Sequence, residues 1–231
     1  MSVRRAVAPV PYRLVRSARA RGVRIRVQAG RVTVSAPPRT PVRRIEALLH
    51  ERRDWLADAL ARAPAPPPLL TGASVPLLGG RLVIDAAAGL RPGEDPAVAA
   101  ERILRARARL HLSGLVQTWA PRLGVEPRRV VVRGQRARWG SASGRGEISL
   151  NWRLMMAPPE VGEYVVVHEL AHLVHMDHGP RFWALVRRHL PGMDEPREWL
   201  RRHGGPLLDG PAAAAAAAAA DPGGSGPRPG G

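Results

Sequence analysis

PPEVGEYVVVHELAHLVHMDH, residues 158–178, is the stretch on which the reading turns. Pro158-Pro159 followed by Glu160 is a helix start, with proline in the first turn and an acid near the positive end of the helix dipole. Val166, Leu170 and Leu173 fall at i, i+4 and i+7, an apolar seam along that helix. His168 and His172 are four apart, so both imidazoles lie on one face, one turn apart, where they can grip one cation. Glu169 is rotated about 100° from His168 round the helix and cannot easily ligate the same ion. It can reach a water on that ion, the H-E-x-x-H arrangement of zinc hydrolases with Glu as general base. His178, six residues after His172, is the candidate third ligand. Three protein ligands and one open position is the catalytic pattern for zinc.

The spacing of the three histidines equals that of the metzincin pattern H-E-x-x-H-x-x-G-x-x-H, but His175 stands where the pattern has Gly. That Gly allows a left-handed turn. Another geometry must therefore bring His178 in, and Gly179-Pro180 suits a sharp turn into a following helix. His175 reads as structural or surface. His50, His111, His189 and His203 read as surface, and Phe182 and Trp183 as core.

Upstream, RRVVVRG (128–134) and GEISLNWRL (146–154) read as strands, with RARWGSASGR between them. The strand 147–152 is expected at the sheet edge, where an extended peptide could add to it. Asp95-Pro96 caps a helix to about Leu123, with Ile103, Leu104, Leu110, Leu115, Val116 and Trp119 inward. Residues 12–36 read as strands with a hairpin at Ala29-Gly30, placing Arg24 and Arg26 on one face. Thr40-Pro41 opens a helix to about Arg62, and APAPPPLL (63–70) is a stiff linker. SVPLLGGRLVIDA (74–86) reads as a second hairpin. Downstream, helices are expected over 180–190 and 194–203. The chain thus divides into 1–62 (strands and helix), 63–94 (Pro-rich linker and hairpin), 95–203 (the domain carrying the histidines) and 204–231. The last segment is low-complexity and reads as a disordered tail, its nine consecutive alanines too few for a lone helix in water.

Composition bounds the rest. The chain has 231 residues and no Cys, which excludes disulfide scaffolds, thiolate zinc sites, iron–sulfur clusters and cysteine nucleophiles. No apolar run approaches the roughly 20 residues of a membrane span, and the start lacks a signal-like apolar stretch. A cytoplasmic protein without membrane association is expected. The net charge is +17, and all of the basic residues are Arg. That charge suits a nucleic-acid partner, yet the abundance of Ala, Gly and Pro beside Arg reads as compositional bias.

The stretch 138–186, RWGSASGRGEISLNWRLMMAPPEVGEYVVVHELAHLVHMDHGPRFWALV, resembles the YgjP-like metallopeptidase family of bacterial zincins, related to SprT-like and HtpX-like peptidases. The basic N-terminal hairpin, ERRDWL (51–56) and LGVEPRRVVVRGQRARWGS (123–141) extend the resemblance over about residues 12–200. One departure is Ala142, where the family motif R-W-G-S-C-S has Cys; a small apolar residue there implies changed packing and an intact site. The resemblance implies an α+β fold: a zincin-like domain with an antiparallel sheet and an active-site helix, preceded by a small hairpin and helix region. It also implies a zinc metallopeptidase acting on peptide or protein substrates, with His168, His172 and His178 as ligands of Zn²⁺ and Glu169 as catalytic base. The alternatives are a nucleic-acid-associated SprT-like protease, and a non-enzymatic basic module with a closed structural zinc whose fourth ligand would be His175 or Asp177. Oligomeric state is left open.

Overall fold

The computed structural model describes residues 4–5 and 10–220. It divides into two compact units, residues 1–67 and 68–231.

In the first unit, β1 (Arg4–Arg5), β2 (Tyr12–Arg16), β3 (Arg24–Gln28) and β4 (Arg31–Ala36) form a sheet in the order β1-β2-β4-β3. β3 and β4 are the expected hairpin. Its turn residues Ala29 and Gly30 both have positive φ, 49° and 68°, the mirror-image turn whose twist suits a hairpin. β2 joins β4 in parallel, a pairing that local alternation does not reveal. The expected helix is broken at Arg52 into α1 (Val42–Glu51) and α2 (Arg53–Arg62). Pro41, not Thr40, is its N-cap residue, and no side chain caps it. Ile45, Leu49 and Leu56 pack on Tyr12, Val32, Val34 and Ala36. The sheet alternation leaves Arg24 and Arg26 exposed on the opposite face.

The second unit begins with the hairpin of β5 (Ser74–Leu77) and β6 (Gly80–Val83). Val75 and Ile84 are fully buried, so this hairpin is part of the core of the unit that holds the histidines, not an appendage of a linker. α3 (Pro96–Leu123) starts at Asp95, whose Oδ1 accepts from the N–H of Ala97 at 2.7 Å and of Val98 at 3.2 Å. Its buried stripe drifts round the helix. Ile103 is buried, but Leu110, two turns on at nearly the same angle, is 81% exposed, while Leu112 and Val116 are covered. The expectation of an inward Leu110 fails because different neighbours cover the two halves of α3.

β7 (Arg129–Arg133), β8 (Gly140–Ala142) and β9 (Glu147–Asn151) form a sheet in the order β7-β9-β8. The β8–β9 pair is antiparallel, and β7 joins β9 in parallel. β9 is therefore the central strand. Both of its sides are hydrogen-bonded, so it cannot receive a further strand, and the edges of the sheet are β7 and β8. A 3₁₀ turn, Trp152–Met156, leads into α4 (Pro159–Ala171). Three consecutive β-branched residues, Val165–Val167, are mediocre helix formers. Burial decides instead: Val161, Tyr164, Val165, Val166, Val167 and Leu170 are all buried, so α4 is covered nearly all round. Trp119 Nε1 donates to Glu163 Oε1 at 2.9 Å, tying α3 to α4.

α5 (Pro180–His189), α6 (Asp194–Asp209) and α7 (Pro211–Ala220) complete the unit. Residues 204–220, read from sequence as tail, thus lie in two helices. Gly204 packs against Trp139, where an added Cβ would stand 2.9 Å from the indole. Ala214 is 1% exposed, within an alanine helix that packs on β5, α3 and α6. Alanine has the best intrinsic helix propensity, and burial against neighbours supplies what a short isolated helix lacks. The remainder of the expected tail, 221–231, lies outside the described residues. Among the described residues no helix is long and apolar enough to cross a membrane.

Candidate active site

α4 ends at His172, and the chain then bends back so that the next histidine faces the first two. Hydrogen bonds from the N–H groups of Val174 and His175 to the carbonyl of Ala171 tighten the end of the helix. Asp177 Oδ1 accepts from the N–H of Gly179 at 3.1 Å, closing the turn before α5. No residue from 172 to 179 has a positive φ, so the bend needs no left-handed residue and tolerates His175.

The result is a convergence of three ring nitrogens. His178 Nε2 lies 3.1 Å from His168 Nε2 and 3.2 Å from His172 Nε2. Tetrahedral zinc with Zn–N bonds of about 2.0–2.1 Å holds its nitrogens about 3.3 Å apart. Among the described residues these three histidines form the group able to hold a metal ion. His172 Nδ1–H donates to the carbonyl oxygen of His175 at 3.0 Å, which leaves the Nε2 lone pair facing the centre. His175 thus serves through its backbone, and neither its ring nor Asp177 joins the donor group.

Phe182 floors the site. Its ring stacks on His172 with centroids 4.5 Å apart and meets His168 and His178 edge-on, both at 4.9 Å. It is fully buried, as expected of core, yet its packing also fixes all three imidazoles. Burial pushes the His168 pKa down to about 3, with His172 and His178 adding to the effect. Burial also lowers that of His172, against the pull of the His175 carbonyl. Both rings are therefore neutral at pH 7, the protonation state that binds a metal.

Glu169 is 6% exposed. Burial pushes its pKa up to about 7, opposed by the nearby Arg138 charge. β8 covers it: a Cβ built on Gly140 would stand 2.5 Å from Glu169 Oε1. Only glycine allows this approach. Ala142 on the same strand packs against the apolar core, as its small size implies. Asn151 holds the loop before β8, its Nδ2 donating to the carbonyls of Gln135 at 2.6 Å and Arg138 at 3.0 Å.

The family model for the YgjP-like, metallopeptidase domain matches residues 21–203. The chain belongs to the YgjP-like family. The YgjP-like match spans β3, β4, α1 and α2 of the first unit as well as the histidine helix of the second. A metallopeptidase domain requires a divalent metal, and the three converging nitrogens are fit to hold one. The crystal structure of the metallopeptidase zymogen of Pyrococcus abyssi abylysin is similar to 39% of this chain and 93% of that one, at 24% identity and a TM-score of 0.36. No curated protein matches the chain.

Beside the triad lies a cavity of 540 Å³, lined by Trp139, Tyr164, Asp194, Arg197, Glu198 and neighbouring residues of α6. The Tyr164 ring is 5.8 Å from His168. Arg197 lies over the Trp183 ring at 4.6 Å, and Trp183 packs 5.8 Å from His168 and 5.7 Å from His178. Glu198 is engaged by Arg201 and Arg202, and Asp194 lies 3.6 Å from Arg187. Among the described residues no carboxylate is in ion-pair distance of Arg197. Sequence reasoning missed this wall. Tyr164 alone carried a signal, one helical turn before His168; Trp139 and Arg197 come from distant segments. Of the histidines read as surface, His111 has a buried Nε2, His189 lies edge-on to Trp119 and His203 packs on Trp199.

Proposed function

We propose that this YgjP-like domain is a zinc-dependent peptidase of the H-E-x-x-H type in which Glu169 is the general base. The observation that carries the reading is the meeting of three Nε2 atoms at zinc-like separations beside a buried carboxyl. When bound, zinc supplies Lewis acidity toward the scissile carbonyl and lowers the pKa of water at the site. His168, His172 and His178 hold it through Nε2. The Glu169 carboxylate takes the proton of the attacking water and delivers it to the leaving amine. A carboxyl tuned to about 7 by burial is suited to both transfers. Gly140 and Phe182 fix the positions of base and ligands and exclude bulk water from them.

The free edge of β8 offers an extended peptide the backbone groups of Gly140–Ala142 by strand addition. A peptide there runs over Glu169. Arg197, over the Trp183 ring, is placed to bind a carboxylate of the substrate in the adjoining cavity. Against the closed structural-zinc reading stands the donor group itself, which neither His175 nor Asp177 joins.

Elemental analysis and a peptide-library digest test this reading. About one zinc per chain, loss of it in His178→Ala, and cleavage blocked by a hydroxamate are expected. A folded chain that takes up no zinc would overturn it.

A second reading, nucleic-acid association, is favoured by the first unit. Arg13, Arg24 and Arg26 are exposed, and the strand register sets them beside Thr33 and Ser35 on one sheet face. DNA binding that weakens steeply with salt and is lost in Arg24→Gln/Arg26→Gln supports it; no binding at low salt removes it.

A further inference from the structure

A second cavity, outside the histidine site, lies between the β5–β6 hairpin, the residues before α4, and the helices α6 and α7. Its volume is 450 Å³, within the roughly 300–1,000 Å³ of small-molecule sites. Met156 and Pro158, both buried, line its inner side. Trp199 and Leu207 of α6 form one wall, and Ala214, Ala217 and Ala218 of α7 form another. The three alanines fall at i, i+3 and i+4, on one face of their helix. The space exists because that face carries only methyl groups; larger side chains there would fill it. Neither Glu169 nor any of the three clustered histidines lines it.

The charged and titratable residues of the lining are all basic. Arg81, Arg202 and His203 line the cavity, and no acidic side chain does. Arg202 is engaged by Glu198. Arg81 is exposed and stands at the mouth, opposite Pro76 across the hairpin. Its Nε donates to Ser74 Oγ at 2.6 Å, and among the described residues no carboxylate pairs with it. That bond orients the guanidinium and leaves its two Nη groups for a ligand. His203 lies along the Trp199 ring, with centroids 5.1 Å apart, so this wall is flat and aromatic.

We propose that the cavity binds a small carboxylate with an apolar body, of the class of a medium-chain fatty acid, with its carboxylate on Arg81 and its chain against the alanine face. The apolar body gains free energy as its surface leaves water for these walls. A planar guanidinium offers a carboxylate two parallel N–H groups, and an anionic head meets no acid in the lining. A neutral ligand gains from the walls alone, and a cation is repelled by Arg81 and Arg202. The site is separate from the three histidines, so it stands whether or not the peptidase reading holds.

Calorimetric titration of the full chain with decanoate, decanol and decyltrimethylammonium, with and without zinc, tests it. Decanoate is expected to bind saturably and alike in both metal states, and to raise the melting temperature as its concentration rises. Decanol should bind about tenfold more weakly, the loss of a charge-assisted contact, and the ammonium compound more weakly still. Arg81→Gln should bring decanoate to the affinity of decanol. Ala217→Leu fills the cavity and should abolish binding of both while keeping or raising the melting temperature. If Ala217→Leu does not fold, Ala218→Val carries the steric test. Arg109→Gln, at an exposed position of α3, is the control and should leave binding unchanged. No saturable binding by the folded wild type, decanol binding as tightly as decanoate, or decanoate binding indifferent to Arg81→Gln and to filling of the cavity would overturn the proposal.

Discussion

Gly140 and Glu169 are in direct apposition: the backbone of the edge strand lies against the carboxyl of the histidine helix, with no room for a Cβ between them. This one approach sets the proposed base, Glu169, beside the edge strand proposed to receive a peptide. It also strips water from the carboxyl and so raises its pKa.

Gly140→Ala should therefore separate β8 from α4. Overpacking of a closely fitted interior costs about 1–3 kcal/mol. Peptidase turnover should fall more than stability suggests, because the carboxylate itself is the group displaced. Denaturant unfolding and steady-state kinetics on the same preparation check this. A variant with wild-type turnover would show that the approach does not position the base.

Glu169→Gln removes the proton acceptor and leaves the three imidazoles in place. Its zinc content should match wild type while kcat falls by about 10²–10⁴-fold. His172→Ala should instead lose the metal. Metal analysis beside a peptide cleavage assay separates the two effects.

The metal-free chain should show a pH signature of the site. The folded pKa of Glu169, about 7, is raised above its ordinary 4.5, so the folded state holds a proton that the unfolded state releases. Its contribution to stability is present below pH 4.5 and is lost as pH rises through 7. His168 is opposite in sign. Its folded pKa of about 3 lies below the ordinary 6.5, so stability is lost as pH falls from 6.5 toward 3. After chelation, Glu169→Gln should be more stable than wild type above pH 7, by up to about 3 kcal/mol. The difference should close toward pH 4.5. Denaturant titrations across pH, followed by tryptophan fluorescence, read this directly.

Arg197→Ala should discriminate among substrates. Peptides carrying a carboxylate near the scissile bond should lose about tenfold in kcat/KM, the worth of one charge-assisted contact. Neutral peptides should change little. Substrate pairs with Glu or Gln at one position, and with free or amidated C-termini, distinguish a side-chain from a terminal carboxylate. An equal loss for all peptides would assign Arg197 to packing on Trp183 instead.

The histidine cluster, and with it the proposed ligands and base, was legible in residues 168–178 because helical periodicity is local: a spacing of four places two imidazoles on one face whatever surrounds them. The Asp95-Pro96 start of α3 and the Ala29-Gly30 turn were legible for the same reason, since capping and turn chemistry act within a few residues. The central place of β9, the exposure of Leu110 and the burial of Ala214 in the expected tail depend on what packs from far along the chain. So do Gly140 over Glu169 and Arg197 on Trp183. The sequence by itself determined the chemistry, as residue types at a helical spacing. The tertiary structure alone decided the environment that tunes it, because burial, field and close approach are summed over segments distant in the chain.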